Sequence, residues 1–168
     1  MHHILYRILK TGILTEPAPS PSDTLLAQAE NLSALSYRRF GHSLSIRHLD
    51  AGSCNGCELE IHLLNSPYSM LEALGFRFVA SPRHADLLMV TGPVSLHMKE
   101  ALLATWEAMP HPKLVVAVGD CSLDGGVFAG SYAVAGGVDS VVPVRVRVPG
   151  CPPDPRALLQ GLITAVEG

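Results

Sequence analysis

The chain has 168 residues, 16% of them charged, and a formal net charge of −3. That length suits one domain able to hold a core without disulfides, and its scattered Arg and Lys form no stripe for nucleic acid. Charge this sparse, against about 25% in an average soluble domain, comes with no apolar run of the ~18 residues that span a bilayer, so it points to strands buried on both faces and to surface covered by partner subunits.

In chain order, residues 1–14 are weakly apolar and carry Arg7 and Lys10. No small-residue cleavage site follows them, so a secretory signal is not expected. A reducing compartment is, which disfavours disulfides. Residues 16–22 (EPAPSPS) form a Pro/Ser spacer, extended or disordered. Asp23 caps a helix with a stripe through Leu25, Ala29, Leu32 and Leu35 or Ser36; Arg38 and Arg39 suit its last turn and Gly41 its C′ position. It reads as a docking helix, with a membrane-surface anchor as the alternative. Residues 1–41 are accordingly an N-terminal extension and residues 42–168 the folded domain.

Within that domain the pattern predicts strands at 44–49, 76–80, 86–91, 113–118 and 144–148. Helices are expected from 59, over 95–109 with Leu96, Leu103 and Trp106 toward the core, and after Asp154, where Pro155 takes the first helical position. Residues 131–135 read as a helical or irregular crossover, and 140–142 as the lead into the last strand. Apolar strands alternating with helices imply an α/β, doubly wound parallel sheet.

Four cysteines, and no fifth, occupy three Gly- or Pro-rich loops: GSCNGCE at 52–58, GDCSLDGG at 119–126 and PGCPP at 149–153. Cys54 and Cys57 follow the strand at 44–49, Cys121 the strand at 113–118 and Cys151 the strand at 144–148. In an open parallel sheet such loops all leave at the carboxyl edge, where ligands bind. Four soft thiolates there, with exposed backbone N–H groups and a helix start behind Cys57, suit a sulfur-rich metal centre. Other readings exist. Tetrahedral zinc also takes four cysteines, although only Cys54/Cys57 has the paired knuckle spacing. A dithiol redox pair leaves Cys121 and Cys151 unexplained, and paired disulfides conflict with the compartment.

With CNGC at 54–57, SPRHADLL at 81–88, GDCSLDGG at 119–126 and VPGCPP at 148–153 in order, the chain resembles the small, electron-transfer subunits of energy-converting [NiFe]-hydrogenases, formate hydrogenlyase among them. It is also similar to the homologous 20-kDa subunit of complex I, the NADH-quinone oxidoreductase. The resemblance covers about residues 36–165. It implies a flavodoxin-like fold with one [4Fe–4S] cluster on Cys54, Cys57, Cys121 and Cys151, next to the active site of a large subunit. It implies as partners that large subunit, a ferredoxin-like iron–sulfur subunit and integral membrane subunits. The location implied is the cytoplasmic face of the cell membrane, peripheral through those partners. The chain itself would be non-catalytic.

In complex I the first two cysteines are adjacent; here Asn55 and Gly56 separate them, as in hydrogenases. No cysteine-rich stretch follows Cys151, so a single cluster is expected. The alternative is a complex I-like or nickel-free relative passing electrons to quinone. Glu60 matches an acidic position of the family, read as a proton-path or interface carboxylate, or simply as a helix-start acid, which is also the reading of Glu58. His62 reads as packed or at an interface, Arg83 and His84 as a partner contact or a solvated loop, and Asp120 and Asp124 as neighbours that lower a cluster potential or as an exposed turn.

Overall fold

The structure, a computed structural model, describes residues 2–12, 23–66 and 76–168. The spacer at 16–22 lies outside them, as does the side chain of Leu25. Two helices come first: α1 (His2–Thr11) and α2 (Asp23–Phe40). The domain continues with β1 (Ser45–Asp50), α3 (Gly56–Leu64), β2 (Arg77–Phe78), β3 (Leu87–Thr91), β4 (Val94–Ser95), α4 (Leu96–Ala108), β5 (Leu114–Val118), α5 (Asp120–Asp124), β6 (Val134–Gly136), β7 (Val146–Val148) and α6 (Pro155–Glu167).

Five strands pair in the order β2-β1-β3-β5-β7, all parallel. This is the flavodoxin-like order, with the reversal between β1 and β3. Alternation along β3 and β5 divides the core into two layers. Leu87, Met89, Leu114, Val116 and Val118 pack with Ala29 and Leu32 of α2, Ile61 of α3 and Leu158, Leu159 and Leu162 of α6. Leu88, Val90, Val115 and Ala117 face the other way, onto Leu102, Met109, Val138 and Val142. Every residue of β3 and β5 is buried, which explains why both read as continuous apolar runs.

Helix termini follow their capping residues. Asp154 Oδ1 accepts the Ala157 N–H at 2.7 Å, with Pro155 at the first helical position. Gly41 closes α2 in the left-handed conformation (φ 77°), donating its N–H to the Tyr37 carbonyl at 3.0 Å. Arg39 Nη1 donates to the Val166 carbonyl at 2.7 Å, tying α2 to the end of α6.

Two expectations need correction. On α4 the buried leucine is Leu102; Leu96 and Leu103 are 53% and 39% exposed, and Trp106 is half-buried. The inward stripe runs through Met98, Leu102, Trp106 and Met109, one residue out of phase with Leu103. Residues 134–136, overlapping the end of the expected crossover, form β6, which pairs antiparallel with β4. Residues 138–140 form a 3₁₀ turn before an otherwise irregular lead into β7.

Candidate metal centre

Three loops at the carboxyl edge of the sheet enclose a cleft of about 100 Å³ lined by Cys54, Cys57, Cys121 and Cys151, with Ser53, Gly56, Gly92, Asp120, Gly150 and Pro152. All four cysteines are unpaired. Cys54 and Cys151 are exposed, and Cys57 and Cys121 half-buried.

Each loop is built by its own backbone bonds. After β1, Asp50 Oδ1 accepts the N–H groups of Gly52 and Ser53 at 2.8 and 2.7 Å, closing a tight turn ahead of Cys54. Asn55 adopts φ 72°, so α3 starts at Gly56 and Cys57 falls in its first turn, beside the positive end of the helix dipole. After β5, Gly119 donates to the Val148 carbonyl at 2.8 Å and Asp120 to the Gly150 carbonyl at 2.9 Å. The Gly150 N–H returns a bond to Asp120 Oδ1 at 2.7 Å. The Cys121 and Cys151 loops are thus joined directly. Asp124 Oδ1 accepts the Gly126 N–H at 2.8 Å, so both aspartates shape the loop they stand in.

Two glycines make room for the sulfurs. A Cβ on Gly119 (φ 85°) would stand 2.5 Å from Cys57 Sγ, and one on Gly126 (φ 53°) 2.8 Å from Cys121 Sγ. Backbone therefore lies against two of the four thiols where any other residue would intrude.

Burial pushes the Cys57 thiol up to about 12, with Glu58 and then Cys54, Cys121 and Cys151 adding to the rise. Cys121 is also raised, by burial first and then by Cys151 and Cys54; the Val127 backbone N–H acts in the opposite direction. At Cys57 and Cys121 the thiol is thus favoured over the thiolate, so a metal taken up there displaces their protons.

Among the described residues no group of three or more His, Cys, Asp or Glu side chains is arranged to hold a metal ion. The sulfurs line a cleft rather than meet at a point. By donor type, four soft thiolates lining one glycine-rich cleft fit an iron–sulfur group.

Beyond the cysteines, Glu58 is buried (6% exposed), with neither carboxylate oxygen hydrogen-bonded. Its Oε1 lies 3.8 Å from His48 Nε2, which is 3.0 Å from Thr91 Oγ1. Glu60 is only half-buried. The buried acid beside the cleft is therefore the one directly after Cys57. Residues two apart on a helix point about 200° apart, so one of the two faces inward, and only the packed structure says which. His62 lines a separate cavity of about 310 Å³ with Arg47, His48 and Asn65. Arg83 and His84 sit in a 3₁₀ turn before β3 and line another cavity with Arg77 and Asp86. That places them at the amino edge of the sheet, away from the cysteines.

Residues 54–165 match the family described as the 20-kDa subunit of NADH ubiquinone oxidoreductase. The chain is 40% identical to formate hydrogenlyase subunit 7 of Escherichia coli (strain K12) over 89% of its own length and 58% of that protein, so it spans little more than half of this relative. It is 44% identical to the probable membrane-bound hydrogenase subunit mbhJ of Pyrococcus furiosus, over 76% of each chain. In structure it resembles a chain of the membrane-bound sulfane sulfur reductase, an archaeal respiratory membrane complex. That likeness has a TM-score of 0.66 and 31% identity, and covers 80% of this chain and 74% of the other. The chain belongs to the 20-kDa subunit family.

Proposed function

We propose that this member of the family holds one [4Fe–4S] cluster on Cys54, Cys57, Cys121 and Cys151 and relays electrons beside the active site of a large subunit, in a membrane-associated complex of hydrogenase type. The observation that carries the reading is the cleft itself: four free thiols from three distant loops, with Gly119 and Gly126 withdrawn to make room for Cys57 and Cys121. When bound, such a cluster stores and passes single electrons at a potential set by hydrogen bonds to its sulfurs, net charge and exposure.

The protein's part is electrostatic and positional. The first turn of α3 and the Val127 N–H set partial positive charge toward Cys57 and Cys121. Asp120 and the buried Glu58 set negative charge nearby, which favours the oxidised state. Cys54 and Cys151 leave the cleft open to one side, and exposed Val127, Phe128 and Leu59 flank the loops that form it. That rim suits coverage by the large subunit, with Glu60 an interface carboxylate. A ferredoxin-like subunit and integral membrane subunits complete the electron path and the attachment.

A second reading is favoured by the likeness to the sulfane sulfur reductase chain: a hydrogenase-related complex whose large subunit serves another acceptor. The separation of Cys54 from Cys57 by Asn55 and Gly56 is compatible with either and disfavours standard complex I. Nickel in the copurified large subunit separates the two.

The cluster assignment is tested by anaerobic reconstitution, with iron, sulfide and zinc counted per chain and low-temperature EPR of the reduced protein. About four irons with matching sulfide and a reduced-cluster signal are expected. Zinc without iron would overturn the reading, as would a full iron load retained by both Cys121→Ser and Cys151→Ser.

A further inference from the structure

Among the described residues nothing buries helix α1: none of its residues is buried, and Ile4, Leu5, Ile8 and Leu9 are 64%, 57%, 59% and 83% exposed. At about 100° per residue these four fall within an arc of about 140°. His3, Arg7 and Lys10 fall on the opposite side of the wheel. The helix HHILYRILKT contains no Asp or Glu, although the whole chain carries a net charge of −3. Gly12, at φ 63°, donates its N–H to the Ile8 carbonyl at 3.0 Å and closes the helix.

An apolar face left in water costs free energy, so something covers it. The charge decides between occupants. A groove on a protein partner would need only the apolar face. Charges of one sign alone, set behind that face, match a surface that is both oily and anionic. Ten residues rise about 15 Å, half of the ~30 Å hydrocarbon thickness, so α1 lies along such a surface and does not cross it.

We infer that α1 is an interfacial helix through which this chain itself binds anionic lipid, with Ile4, Leu5, Ile8 and Leu9 in the acyl boundary and Arg7 and Lys10 among the headgroups. This goes beyond attachment through partner subunits and does not depend on the cluster.

The test uses the full chain, loaded anaerobically, in sedimentation with vesicles of equal parts phosphatidylcholine and phosphatidylglycerol, and with vesicles of phosphatidylcholine alone. Binding is expected to the mixed vesicles, weaker to the neutral ones, and reduced by salt. The Ile4→Glu/Ile8→Glu variant should bind about tenfold more weakly or worse. Arg7→Glu/Lys10→Glu should lose the preference for anionic lipid. Because α1 contributes nothing to the core, both should keep wild-type iron content and melting temperature. A Leu9→Trp variant adds a direct readout, its emission shifting to the blue on the mixed vesicles. Equal binding to both vesicles, wild-type binding by the Ile4/Ile8 variant, or an unmoved Leu9→Trp emission would each overturn the inference. So would a helix that binds purified membrane subunits but no vesicles.

Discussion

The Asp120 carboxylate accepts the Gly150 N–H at 2.7 Å while the Asp120 N–H donates to the Gly150 carbonyl at 2.9 Å. This two-way link joins the residue before Cys121 to the residue before Cys151. Asp120→Ala removes the side-chain half and leaves the backbone half. The side chain is exposed, so a loss of about 1 kcal/mol and a fall of about 2–4 °C in melting temperature are expected. Iron retained per chain should fall more visibly, because Cys151 is freed from its register with Cys121. Asp120→Asn keeps an acceptor oxygen and should retain most of the iron. Wild-type iron retention in Asp120→Ala would separate the link from the site.

Gly119 separates steric from conformational cost. A Cβ there would sit 2.5 Å from Cys57 Sγ, whereas at Gly130, with a comparable φ (76° against 85°), nothing lies within 4 Å. Both Gly→Ala changes put a Cβ on backbone at positive φ; Gly119, with ψ 151°, lies outside the left-handed well in a region essentially confined to glycine, which costs about 1–3 kcal/mol. Only Gly119→Ala displaces a sulfur. Gly119→Ala should reconstitute poorly, while Gly130→Ala should reconstitute fully. Equal iron in the two proteins would show that Cys57 tolerates displacement.

Much of this was legible in the sequence because it depends on local chemistry. Pro155 after Asp154, and Gly41 after Arg38 and Arg39, marked helix ends through backbone geometry that few other residues supply. The buried runs 87–91 and 114–118 marked central strands, and parallel strands send their following loops to one edge, which brought Cys121 and Cys151 to the loop of Cys54 and Cys57. What escaped depends on contacts distant in sequence or on a helix phase one residue off. β6 is three residues long and exists through its pairing with Val94 and Ser95. Leu102 and Leu103 are equally apolar. Glu58 and Glu60 both suit a helix start, and the burial of Glu58 depends on the contact of α3 with His48 of β1. The amphipathicity of α1 emerges only once residues 2–11 are placed on a helix.

His48 gives the fold a pH dependence. Burial lowers its pKa below the ordinary 6.5 despite the opposing pull of Glu58 and Asp50; Arg47 and His62 act in the same direction as burial. The folded state resists the proton that the unfolded state accepts. Stability is therefore full above 6.5, declines as pH falls below it, and reaches its floor once pH passes the lowered folded value. Asp50 acts in a more acid window. Burial alone would raise its pKa, but the N–H groups of Ser53 and Gly52 outweigh that and lower it, so its contribution is lost only below about 3.8. Urea midpoints measured at pH 7.5 and pH 5.5 should differ in the wild type and differ less in His48→Gln, which retains a group able to bond Thr91. An unchanged difference in His48→Gln would assign the pH dependence to other groups.

The phase of α4 is the sharpest test of the core. Leu102 is fully buried among the residues facing the β3–β5 surface, and its neighbour Leu103 is 39% exposed. The two share residue type, helix and propensity, so a comparison of their alanine variants isolates burial. Leu102→Ala should cost about 2–5 kcal/mol, from lost transfer energy and the cavity left beneath the sheet. Leu103→Ala removes a side chain already partly in water and should cost about 1 kcal/mol or less. Denaturant midpoints at constant slope measure both. α4 packs on the sheet face opposite α3 and α6, so Leu102→Ala should lower stability while leaving iron per folded chain unchanged. Equal costs for the two variants would mean that α4 is rotated from the phase described, with Leu96 and Leu103 turned toward the sheet.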